Sequence, residues 1–421
     1  MNVASALAPL IRRLAGDAPP IRIEFWDGSA LGPEVAPATV MFRTPRAFQR
    51  LVKAPGELGL GRAYVAGEID LEGDLDAVLD LGVRNPDLAL GRGGWLEAVR
   101  SLRRAGALKP MRLPPPPEEA RLRGRRHTRQ RDLAAIRHHY DVSNDFYRIV
   151  LGPTLTYSCA YFETPDASLE EAQIDKHELI CRKLRLRTDD RMLDVGCGWG
   201  SLVIHAALHH GVRAVGVTLS DRQAEVAEKR VAEAGVADRV TIRLQDERDV
   251  DDGPFDAISS VGMFEHVGAQ RLAEYFAHLH ELLRPQGRLL NHGISRPPGS
   301  RRTRFARRSF IDSYVFPDGE LHEIGAVVTT MQRAGFEVRD VESLREHYAL
   351  TLRRWVENLQ ANAKEAVALV GEGRYRVWRL YMAASARMFE AGRLQVHQVL
   401  AVRSDGGLSG VPLRRADIVL S

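Results

Sequence analysis

Three glycines at alternate positions follow a short apolar segment that ends at Val195. Gly196, Gly198 and Gly200 permit a tight turn and let the backbone approach a ligand closely. A strand-like segment before them and a helical pattern after them supply the context that such a motif requires. The spacing differs from the G-x-G-x-x-G of dinucleotide enzymes. Asp194 beside the turn suits a ligand that carries a cationic amino-acid group better than a pyrophosphate. The alternative is a purely structural glycine turn.

Polar side chains also follow the next two predicted strands. Thr218 ends the second strand, and Gln223 lies one turn into the following helix, while Ser220 equally fits the cap of that helix. Because ligands of open α/β sheets bind beyond the carboxyl ends of the strands, Thr218 and Gln223 are placed to reach the ligand. Asp246 follows the third strand, where its carboxylate either meets an adenine amino group or faces water.

The elements that must position these residues alternate between strands and helices after about residue 131. Short apolar runs predict strands at 192–195, 214–217, 240–244, 257–261 and 289–294, with helical patterns between them such as 220–234 and 269–283. Short buried strands that alternate with helices predict an α/β fold, in which a mostly parallel sheet is covered by helices on both faces.

The chain before this region has a different character. Residues 1–108 mix short strand-like and helix-like segments, which predicts a small α+β N-terminal domain. Pro110 and Pro114–Pro117 are followed by an arginine-rich stretch, and consecutive prolines cannot continue a helix or a central strand. We therefore predict a linker over 109–130 and one catalytic domain over 131–421.

The composition excludes several classes of protein. A hydrophobic content of 44% and a charged content of 27% are ordinary for a globular protein and exclude a largely disordered or collagen-like chain. No apolar stretch approaches the roughly 18 residues of a membrane-spanning helix. The three cysteines form no C-x-x-C pair, so we expect no disulfide framework and a reducing cytoplasm. We also expect no metal site, because the adjacent histidines 138–139 and 209–210 do not face one another on a helix.

Six ordered segments resemble the cyclopropane fatty acid synthase family of class I S-adenosylmethionine-dependent methyltransferases. They are HYDVSNDFY (139–147), LTYSCAYF (155–162), DVGCGWG (194–200), VTLSDRQ (217–223), GMFEHVG (262–268) and NHGI (291–294). Residues 58–75 also resemble the small domain that bacterial members carry ahead of the catalytic one. The resemblance implies a Rossmann-like class I methyltransferase domain that binds S-adenosylmethionine, with Tyr157 and Ser158 among the cofactor residues.

The resemblance further implies transfer of the sulfonium methyl group to the double bond of an unsaturated acyl chain in a phospholipid. The developing carbocation requires a site free of water, and a base then removes a proton so that a cyclopropane ring closes. Family members hold a bicarbonate ion as that base, and the matching positions here are Cys159, Glu265, His292, Ile294 and Tyr348. A hydride shift before proton loss gives a methylene-branched chain of the 10-methylene type instead.

Taken one at a time, these residues also have structural interpretations. Cys159 lies in an apolar aromatic stretch and fits a buried filler, while Glu265 fits a solvated acid at the start of a helix. His292 fits a hydrogen-bonded core histidine, and Tyr348 fits a core aromatic residue. Gly293 stands where the family more commonly has threonine, and we expect it to widen the pocket near the base.

An arginine-rich segment at 296–308 holds six arginines, one phenylalanine and no acid. Each basic residue near an anionic membrane contributes about 1 kcal/mol. With the arginines of 121–129, the segment therefore predicts docking on a phospholipid membrane that carries unsaturated acyl chains. The predicted docking residues are Arg301, Arg302, Arg304, Arg307 and Arg308. No nucleic-acid-binding motif accompanies them, and a solvated basic loop is the alternative.

The same features set the expected location and the remaining alternatives. We expect a cytoplasmic enzyme that is peripherally associated with the inner face of the membrane, and the resemblance favours a homodimer. A methyltransferase for a soluble small molecule is one alternative, and the N-terminal domain and the arginine segment count against it. A non-enzymatic lipid-binding protein with a decayed site is another, and the intact glycine turn, Glu265 and His292 count against it.

Overall fold

The computed structural model describes residues 2–16, 19–84, 99–107, 113–122, 124–126, 128–140, 142–299 and 309–416. The chain divides into two compact units. Unit 1 comprises Met1–Arg121, Arg301–Pro317 and Ala363–Ala391, and unit 2 comprises Leu122–Ser300, Asp318–Asn362 and Gly392–Ser421. The first boundary falls inside the predicted 109–130 linker, but two later segments belong to unit 1 rather than to the predicted catalytic domain.

The secondary structure consists of helices and strands with the following bounds. The helices are α1 Val3–Ala15, α2 Arg46–Lys53, α3 Glu57–Val65, α4 Leu75–Arg84, α5 99–104, α6 Arg129–Tyr140, α7 Asn144–Leu151, α8 Leu169–Leu184, α9 Ser201–His210, α10 Asp221–Glu233, α11 Phe264–Val267, α12 Leu272–Leu282, α13 Phe310–Tyr314, α14 Ile324–Arg333, α15 Arg345–Ala361 and α16 Ala363–Glu390. The strands are β1 Arg22–Phe25, β2 Ala30–Leu31, β3 Ala38–Phe42, β4 Ile69–Gly73, β5 Arg191–Val195, β6 Arg213–Thr218, β7 Val240–Leu244, β8 Phe255–Val261, β9 Leu283–Ser295, β10 Glu337–Ser343 and β11 Gln395–Val402.

Unit 1 contains a four-stranded sheet in the order β2-β1-β3-β4. Strands β1 and β3 are parallel, and the other pairs are antiparallel. Alternate side chains of the strands and the apolar face of α1 form one hydrophobic core, in which the rings of Phe42 and Phe48 stack at 4.5 Å between centroids. This arrangement is the small α+β domain that the sequence predicts.

Helix α16 belongs to unit 1 because polar side chains bond it to the same elements. Arg376 donates to the carbonyl oxygens of Tyr64 at 3.2 Å and Ile69 at 3.1 Å. Its guanidinium group also lies 3.3 Å from a carboxylate oxygen of Asp70. These contacts involve residues more than 300 positions apart in the chain, so the sequence pattern near residue 370 gives no sign of them.

Unit 2 contains a seven-stranded sheet in the order β10-β11-β9-β8-β5-β6-β7. Strands β9, β8, β5, β6 and β7 pair with one another in parallel, and β11 is antiparallel to both β9 and β10. The predicted α/β class is confirmed, and each of the five predicted strands is present. Among the described residues, no helix is both long and apolar enough to cross a membrane.

Burial on both faces explains the continuous apolar runs of these strands. Leu193 and Val195 of β5 pack into one hydrophobic cluster, while Met192 packs into a second cluster. A strand that buries both of its faces has no position for exposed polar residues until it ends. The polar side chains after β5, β6 and β8 therefore gather at one edge of the sheet.

Candidate active site

A cavity open to solvent lies beyond the carboxyl ends of β5, β6 and β8, and we call it the sheet-edge cavity. Counted together with its open mouth, its empty space is about 940 Å³. Most residues that the sequence assigns to a cofactor line it, namely Tyr157, Ser158, Asp194, Gly196, Gly198, Thr218 and Gln223. Gly200 and Asp246 are not among the lining residues.

The glycine turn shapes the wall of this cavity. Gly196 has a φ of +78°, and a Cβ atom there would collide with the thioether of Met263. Gly198 has a φ of +55°, and a Cβ atom there would meet nothing within 4 Å. Gly200 caps α9 instead, and a Cβ atom there would lie 3.2 Å from the Cβ of Ala227. The first two glycines therefore let the backbone face the cavity, and the third serves packing.

Thr218 and Gln223 are held together at the end of β6. The Thr218 hydroxyl donates to Gln223 Oε1 at 2.8 Å, and both residues are buried. Ser220 caps α10 by accepting the Gln223 amide N–H at 3.3 Å, as its position in the sequence predicts. The side-chain amide nitrogen of Gln223 is left to bond a ligand.

Asp246 has a local partner rather than a place in the cavity wall. Its carboxylate accepts from the Arg248 side chain at 2.6 Å and from the Arg248 backbone N–H at 3.1 Å. Although burial opposes the effect, these hydrogen bonds lower the pKa of Asp246. Gln245 and Glu247 on either side of it line the cavity. Burial and the neighbouring Asp246 raise the pKa of Glu247 to about 7.

Asp194 is a buried carboxylate in the floor of the cavity. It accepts a hydrogen bond of 2.5 Å from the Ser259 hydroxyl, and only 3% of the residue is exposed. Burial raises the pKa of Asp194 to about 6, although the Ser259 bond and the charge of Lys176 lower it. A ligand with a cationic amino group would stabilise the ionised form, which agrees with the predicted role of this residue.

Lys176 lines the same cavity, and the sequence analysis missed it. The residue is 2% exposed, and its ammonium group donates to the Ser158 hydroxyl at 3.0 Å. Burial lowers the pKa of Lys176 to about 8, and the charge of Asp194 acts against that shift. Lys176 lies four residues after Ala172 and four before Ile180, which are both fully buried. That spacing on α8 was the available signal, because it puts a lysine on a buried helix face.

Tyr157 connects the cavity to an aromatic group in the interior. Its ring stacks on His139 at 5.4 Å between centroids and packs against Trp355 at 5.2 Å. Tyr348 also contacts Trp355, edge to face, at 6.0 Å between centroids. Two predicted residues, Tyr157 in the cavity wall and the buried Tyr348, thus share one aromatic neighbour.

The predicted catalytic residues do not line the cavity, and three of them lie on or against strand β9. We call Glu265, His292, Ile294 and Gln398 the acid–histidine cluster. Glu265 Oε1 accepts the backbone N–H of Ile294 at 2.6 Å. His292 Nδ1 lies 3.2 Å from Gln398 Nε2 on the neighbouring strand β11.

Burial favours the uncharged form of both titratable groups of the acid–histidine cluster. Burial raises the pKa of Glu265 to about 7, although the bond from Ile294 lowers it. Burial also lowers the pKa of His292 well below its usual value, and the charge of Lys176 adds to that effect. Glu265 Oε2 and His292 Nε2 are buried and have no hydrogen-bond partner among the described residues.

The other two predicted catalytic residues meet at Leu344. The Cys159 thiol lies 3.2 Å from the carbonyl oxygen of Ala160 and 3.6 Å from that of Leu344. Tyr348 donates its backbone N–H to the same Leu344 carbonyl at 3.0 Å. Burial raises the pKa of Cys159, so it is a thiol at neutral pH. The structure therefore supplies a neutral hydrogen-bond donor here rather than a nucleophile.

Gly293 does not widen a pocket, and this corrects the sequence-based expectation. A Cβ atom at Gly293 would collide with the ring of Phe264 and would lie 3.0 Å from Glu265 Oε1. The aromatic ring occupies the space that a side chain would take. The missing side chain at residue 293 therefore gives close packing of α11 on β9 and no extra volume.

The predicted docking arginines Arg301, Arg302, Arg304, Arg307 and Arg308 lie outside the described residues. Of the other arginine stretch, Arg129 forms two bonds of 2.7 and 2.8 Å with the Asp249 carboxylate. Arg126 lies 3.0 Å from Asp318. Part of the positive charge of the 121–129 stretch is therefore paired within unit 2.

Comparisons with known proteins cover nearly the whole chain. A sequence model of the family described as mycolic acid cyclopropane synthetase matches residues 127–399, and one described as a domain of unknown function matches residues 10–92. A probable fatty acid methyltransferase of Mycobacterium tuberculosis is 46% identical over 406 residues, which are 94% of each chain. A tuberculostearic acid methyltransferase of the same organism is 34% identical over 412 residues, covering 95% of this chain and 92% of its own. A crystal structure of a mycolic acid cyclopropane synthase complexed with SAH and CTAB has a TM-score of 0.61 and 38% identity, covering 64% of this chain and 98% of that chain.

Proposed function

The chain belongs to the mycolic acid cyclopropane synthetase family, and from this premise we propose that it adds a carbon from S-adenosylmethionine to the double bond of an unsaturated acyl chain in a phospholipid. Family membership confirms the resemblance carried by the six sequence segments. It makes the chain an S-adenosylmethionine-dependent methyltransferase that acts on fatty acyl chains. The phospholipid carrier, the carbocation and its base are the proposal.

Helix α11 is the observation that carries the proposal, because it joins the sheet-edge cavity to the buried acid. Met263 and His266 line the cavity, while Phe264 and Glu265 between them are buried. A double bond held against this helix would meet the methyl donor on one side and a buried carboxyl group on the other. Methyl transfer and proton removal then occur within one helical turn.

The aromatic interior suits the cation that methyl transfer creates. The C–S bond of the donor breaks as the alkene π electrons form the new C–C bond, which leaves a positive charge on the other alkene carbon. Trp355 is fully buried and contacts both Tyr157 and Tyr348, so water is excluded from its surroundings. Aromatic ring faces also attract a cation electrostatically.

The acid–histidine cluster fits a small anion, and we propose that it holds bicarbonate. Three buried atoms of the cluster have no partner among the described residues, namely Glu265 Oε2, His292 Nε2 and Gln398 Oε1. His292 donates from Nε2, and Glu265 donates when it is protonated, which its pKa of about 7 permits at neutral pH. A bound bicarbonate would supply a proton acceptor. Ile294 has a positioning role, since its N–H already bonds Glu265.

A product assay tests the whole proposal. Vesicles of a phospholipid with cis-monounsaturated chains are incubated with the full chain and S-adenosylmethionine, and the extracted lipid is examined by proton NMR. We expect the upfield signals of cyclopropane protons. If the cofactor is consumed and neither cyclopropane nor vinylidene signals appear, the proposal is wrong.

A methylene-branched product is the second candidate, and one finding favours it. The chain is similar over 412 residues to a protein named as a tuberculostearic acid methyltransferase rather than as a cyclopropane synthase. A hydride shift toward the cation, followed by loss of a proton from the added carbon, gives this product from the same intermediate. Vinylidene signals in the same spectrum identify it, and intact mass does not, because both products add CH2.

Membrane docking through the arginine segment is the remaining part of the proposal. Arg301, Arg302, Arg304, Arg307 and Arg308 follow one another without an intervening acid, so they attract an anionic lipid surface. The full chain and a variant with all five changed to glutamine are sedimented with vesicles of increasing anionic-lipid content. We expect the variant to require more anionic lipid. Equal binding of both proteins assigns docking to another surface.

A free fatty acid in detergent provides the control that separates docking from chemistry. The glutamine variant should retain activity toward this substrate, because the acid–histidine cluster is unchanged. If the free acid is methylated and vesicle lipid is not methylated at any lipid composition, the substrate is a soluble molecule and the phospholipid assignment fails.

A further inference from the structure

A second group of titratable side chains lies between α8 and α9, away from the acid–histidine cluster. Cys181 comes from α8, and His205 and His210 come from α9. Each offers one ligand atom, and the three atoms lie within 4.8 Å of one another. The sequence analysis tested only adjacent histidines, whereas the structure pairs His210 with His205, five residues earlier on the same helix.

A carboxylate completes this group. Glu178 Oε2 lies 3.2 Å from His205 Nε2 and 3.0 Å from His210 Nε2. Glu178 precedes Cys181 by three residues, so the two share one face of α8. Cys181 is fully buried and His205 is 9% exposed, while the side chains of Glu178 and His210 are 27% and 18% exposed. The sulfur of the group is therefore buried, while the partly exposed side chains of Glu178 and His210 give an ion access from solvent.

We propose that Cys181, His205 and His210 bind a divalent cation with the ligand preferences of zinc, with Glu178 as the charged carboxylate beside both imidazoles. Zinc prefers a tetrahedron of sulfur and nitrogen ligands, in which ligand atoms lie about 3.5 Å apart. The observed spacing of up to 4.8 Å requires the side chains to close by roughly 1 Å around the ion. Magnesium and calcium prefer oxygen ligands, so this set does not suit them.

Charge balance favours the same ion. Binding displaces the thiol proton of Cys181 to solvent and leaves a thiolate next to the Glu178 carboxylate, so two negative charges meet one divalent cation. The two imidazoles must likewise present ring nitrogens that carry no proton, because metal ligands bind in their deprotonated forms.

The site would join two helices that also line the sheet-edge cavity. Helix α8 carries Lys176 and His177, and α9 begins with Ser201 and Leu202, all of which are lining residues. A metal bound between α8 and α9 therefore fixes the separation of two cavity walls. We expect the metal to have a structural role, so metal binding and thermal stability can be measured without an activity assay.

Cobalt binding to the full chain tests the proposal directly. After treatment with a chelator and its removal, the chain is titrated with Co²⁺ and its absorption is recorded. We expect one equivalent to give thiolate-to-cobalt charge transfer in the near ultraviolet and the visible bands of a tetrahedral ion. Zn²⁺ should then displace the cobalt, and Zn²⁺ alone should raise the Tm, since a ligand that binds the native state stabilises it.

Variants assign the ligands. Cys181→Ser should abolish the charge-transfer band, and His210→Ala should weaken Co²⁺ binding by about 100-fold or more, because even residues that only support metal ligands cost roughly 10–100-fold. His209→Ala is the neighbouring control: His209 is exposed and outside the group, but its ring lies 4.4 Å from that of His205, so this change should weaken Co²⁺ binding far less than His210→Ala does.

The partly exposed His210 keeps the test valid if Cys181→Ser does not fold. The proposal is overturned if the wild type takes up no cobalt. It is also overturned if His210→Ala, folded by circular dichroism, keeps the thiolate band and the affinity of the wild type. Equal losses in His209→Ala and His210→Ala would show surface histidine binding instead of this site.

Discussion

The sheet-edge cavity and the acid–histidine cluster are built on the same sheet in opposite ways. The cavity is formed by backbone turns directly after β5, β6 and β8, and it is open to solvent. The cluster is formed in the interior by side chains from β9, α11 and β11, and its His292–Gln398 pair spans 106 positions of the chain. The turns that shape the cavity come from local sequence, although Tyr157 and Lys176 reach it from elsewhere in the chain, whereas the cluster depends entirely on the completed fold.

The two regions also treat charge differently. In the cavity, the Asp194 carboxylate and the Lys176 ammonium lie close enough to influence each other's pKa, so both signs of charge are presented to one ligand. In the cluster, burial leaves His292 neutral and brings the pKa of Glu265 to about 7. A zwitterionic amino-acid group suits the first region, and proton transfer next to an apolar chain suits the second.

The largest effect is expected from Glu265→Gln in the acid–histidine cluster. The amide keeps the shape of the side chain but cannot exchange a proton as a carboxyl group does. Turnover of unsaturated phospholipid should therefore fall by about 10²–10⁴-fold, while the Kd for S-adenosylhomocysteine stays unchanged. Product NMR measures the first quantity, and calorimetric titration measures the second.

Glu274→Gln is the matched control for that variant. Glu274 lies on α12 with 74% of its side chain exposed, so this change should affect neither turnover nor binding. Wild-type turnover in Glu265→Gln would place proton removal outside the cluster. A loss of cofactor binding in Glu265→Gln would show that the two regions are not functionally separate.

The converse result is expected from Asp194→Asn in the sheet-edge cavity. The amide still accepts the bond from Ser259, but it has no charge for the amino group of the cofactor. A hydrogen bond to a charged group is worth about 1.5–3 kcal/mol, so the Kd for S-adenosylmethionine should rise roughly 10–100-fold, with the KM for lipid little changed. The exposed Asp238 provides the control Asp238→Asn. An unchanged Kd would remove Asp194 from the cofactor site.

The contrast between these regions explains what the sequence could predict. A strand, a glycine turn and a helix are adjacent in the chain, so β5, Gly196 and Gly198 were predictable from local pattern alone. The bond from Ile294 to Glu265 was not, because it depends on how α11 packs on β9. Family resemblance supplied those residues, but it did not supply their geometry.

Two features were missed by both kinds of reasoning. Lys176 appears in the pattern of α8 as one more charged residue unless its spacing from buried positions is noticed. Cys181 and His205 come from different helices, so no contiguous motif marks their meeting. Contacts across packed helices depend on the angle and separation of those helices, which a pattern of residue types does not determine.

A methyl group added to a glycine in each region gives a smaller and directly comparable test. In Gly293→Ala the new Cβ meets the ring of Phe264 and Glu265 Oε1, and overpacking of this kind costs about 1–3 kcal/mol. In Gly198→Ala the Cβ enters open space, and the positive φ costs about 1–2 kcal/mol. We expect Gly293→Ala to lower the turnover and Gly198→Ala to lower the affinity for cofactor.

Thermal melting and the two assays distinguish the variants. Both substitutions should lower the Tm, because each introduces strain. The two variants are therefore distinguished by turnover and by cofactor affinity. If Gly293→Ala weakens cofactor binding while turnover at saturating cofactor is normal, the packing of α11 on β9 serves the cavity rather than the cluster.

The smallest effect is expected from Lys176→Met, and it appears as a shift along the pH axis. Cofactor affinity should fall as the pH decreases through about 6, because Asp194 then becomes protonated and neutral. The charge of Lys176 lowers the pKa of Asp194, so its removal should move this midpoint to higher pH. Lys229→Met on α10, whose side chain is 71% exposed, is the control and should leave the midpoint unchanged. Calorimetric Kd values between pH 5 and 8 measure the shift. An unchanged midpoint in Lys176→Met would mean that the lysine does not act on Asp194, and the cavity would then recognise the amino group of its ligand without help from the buried cation beside it.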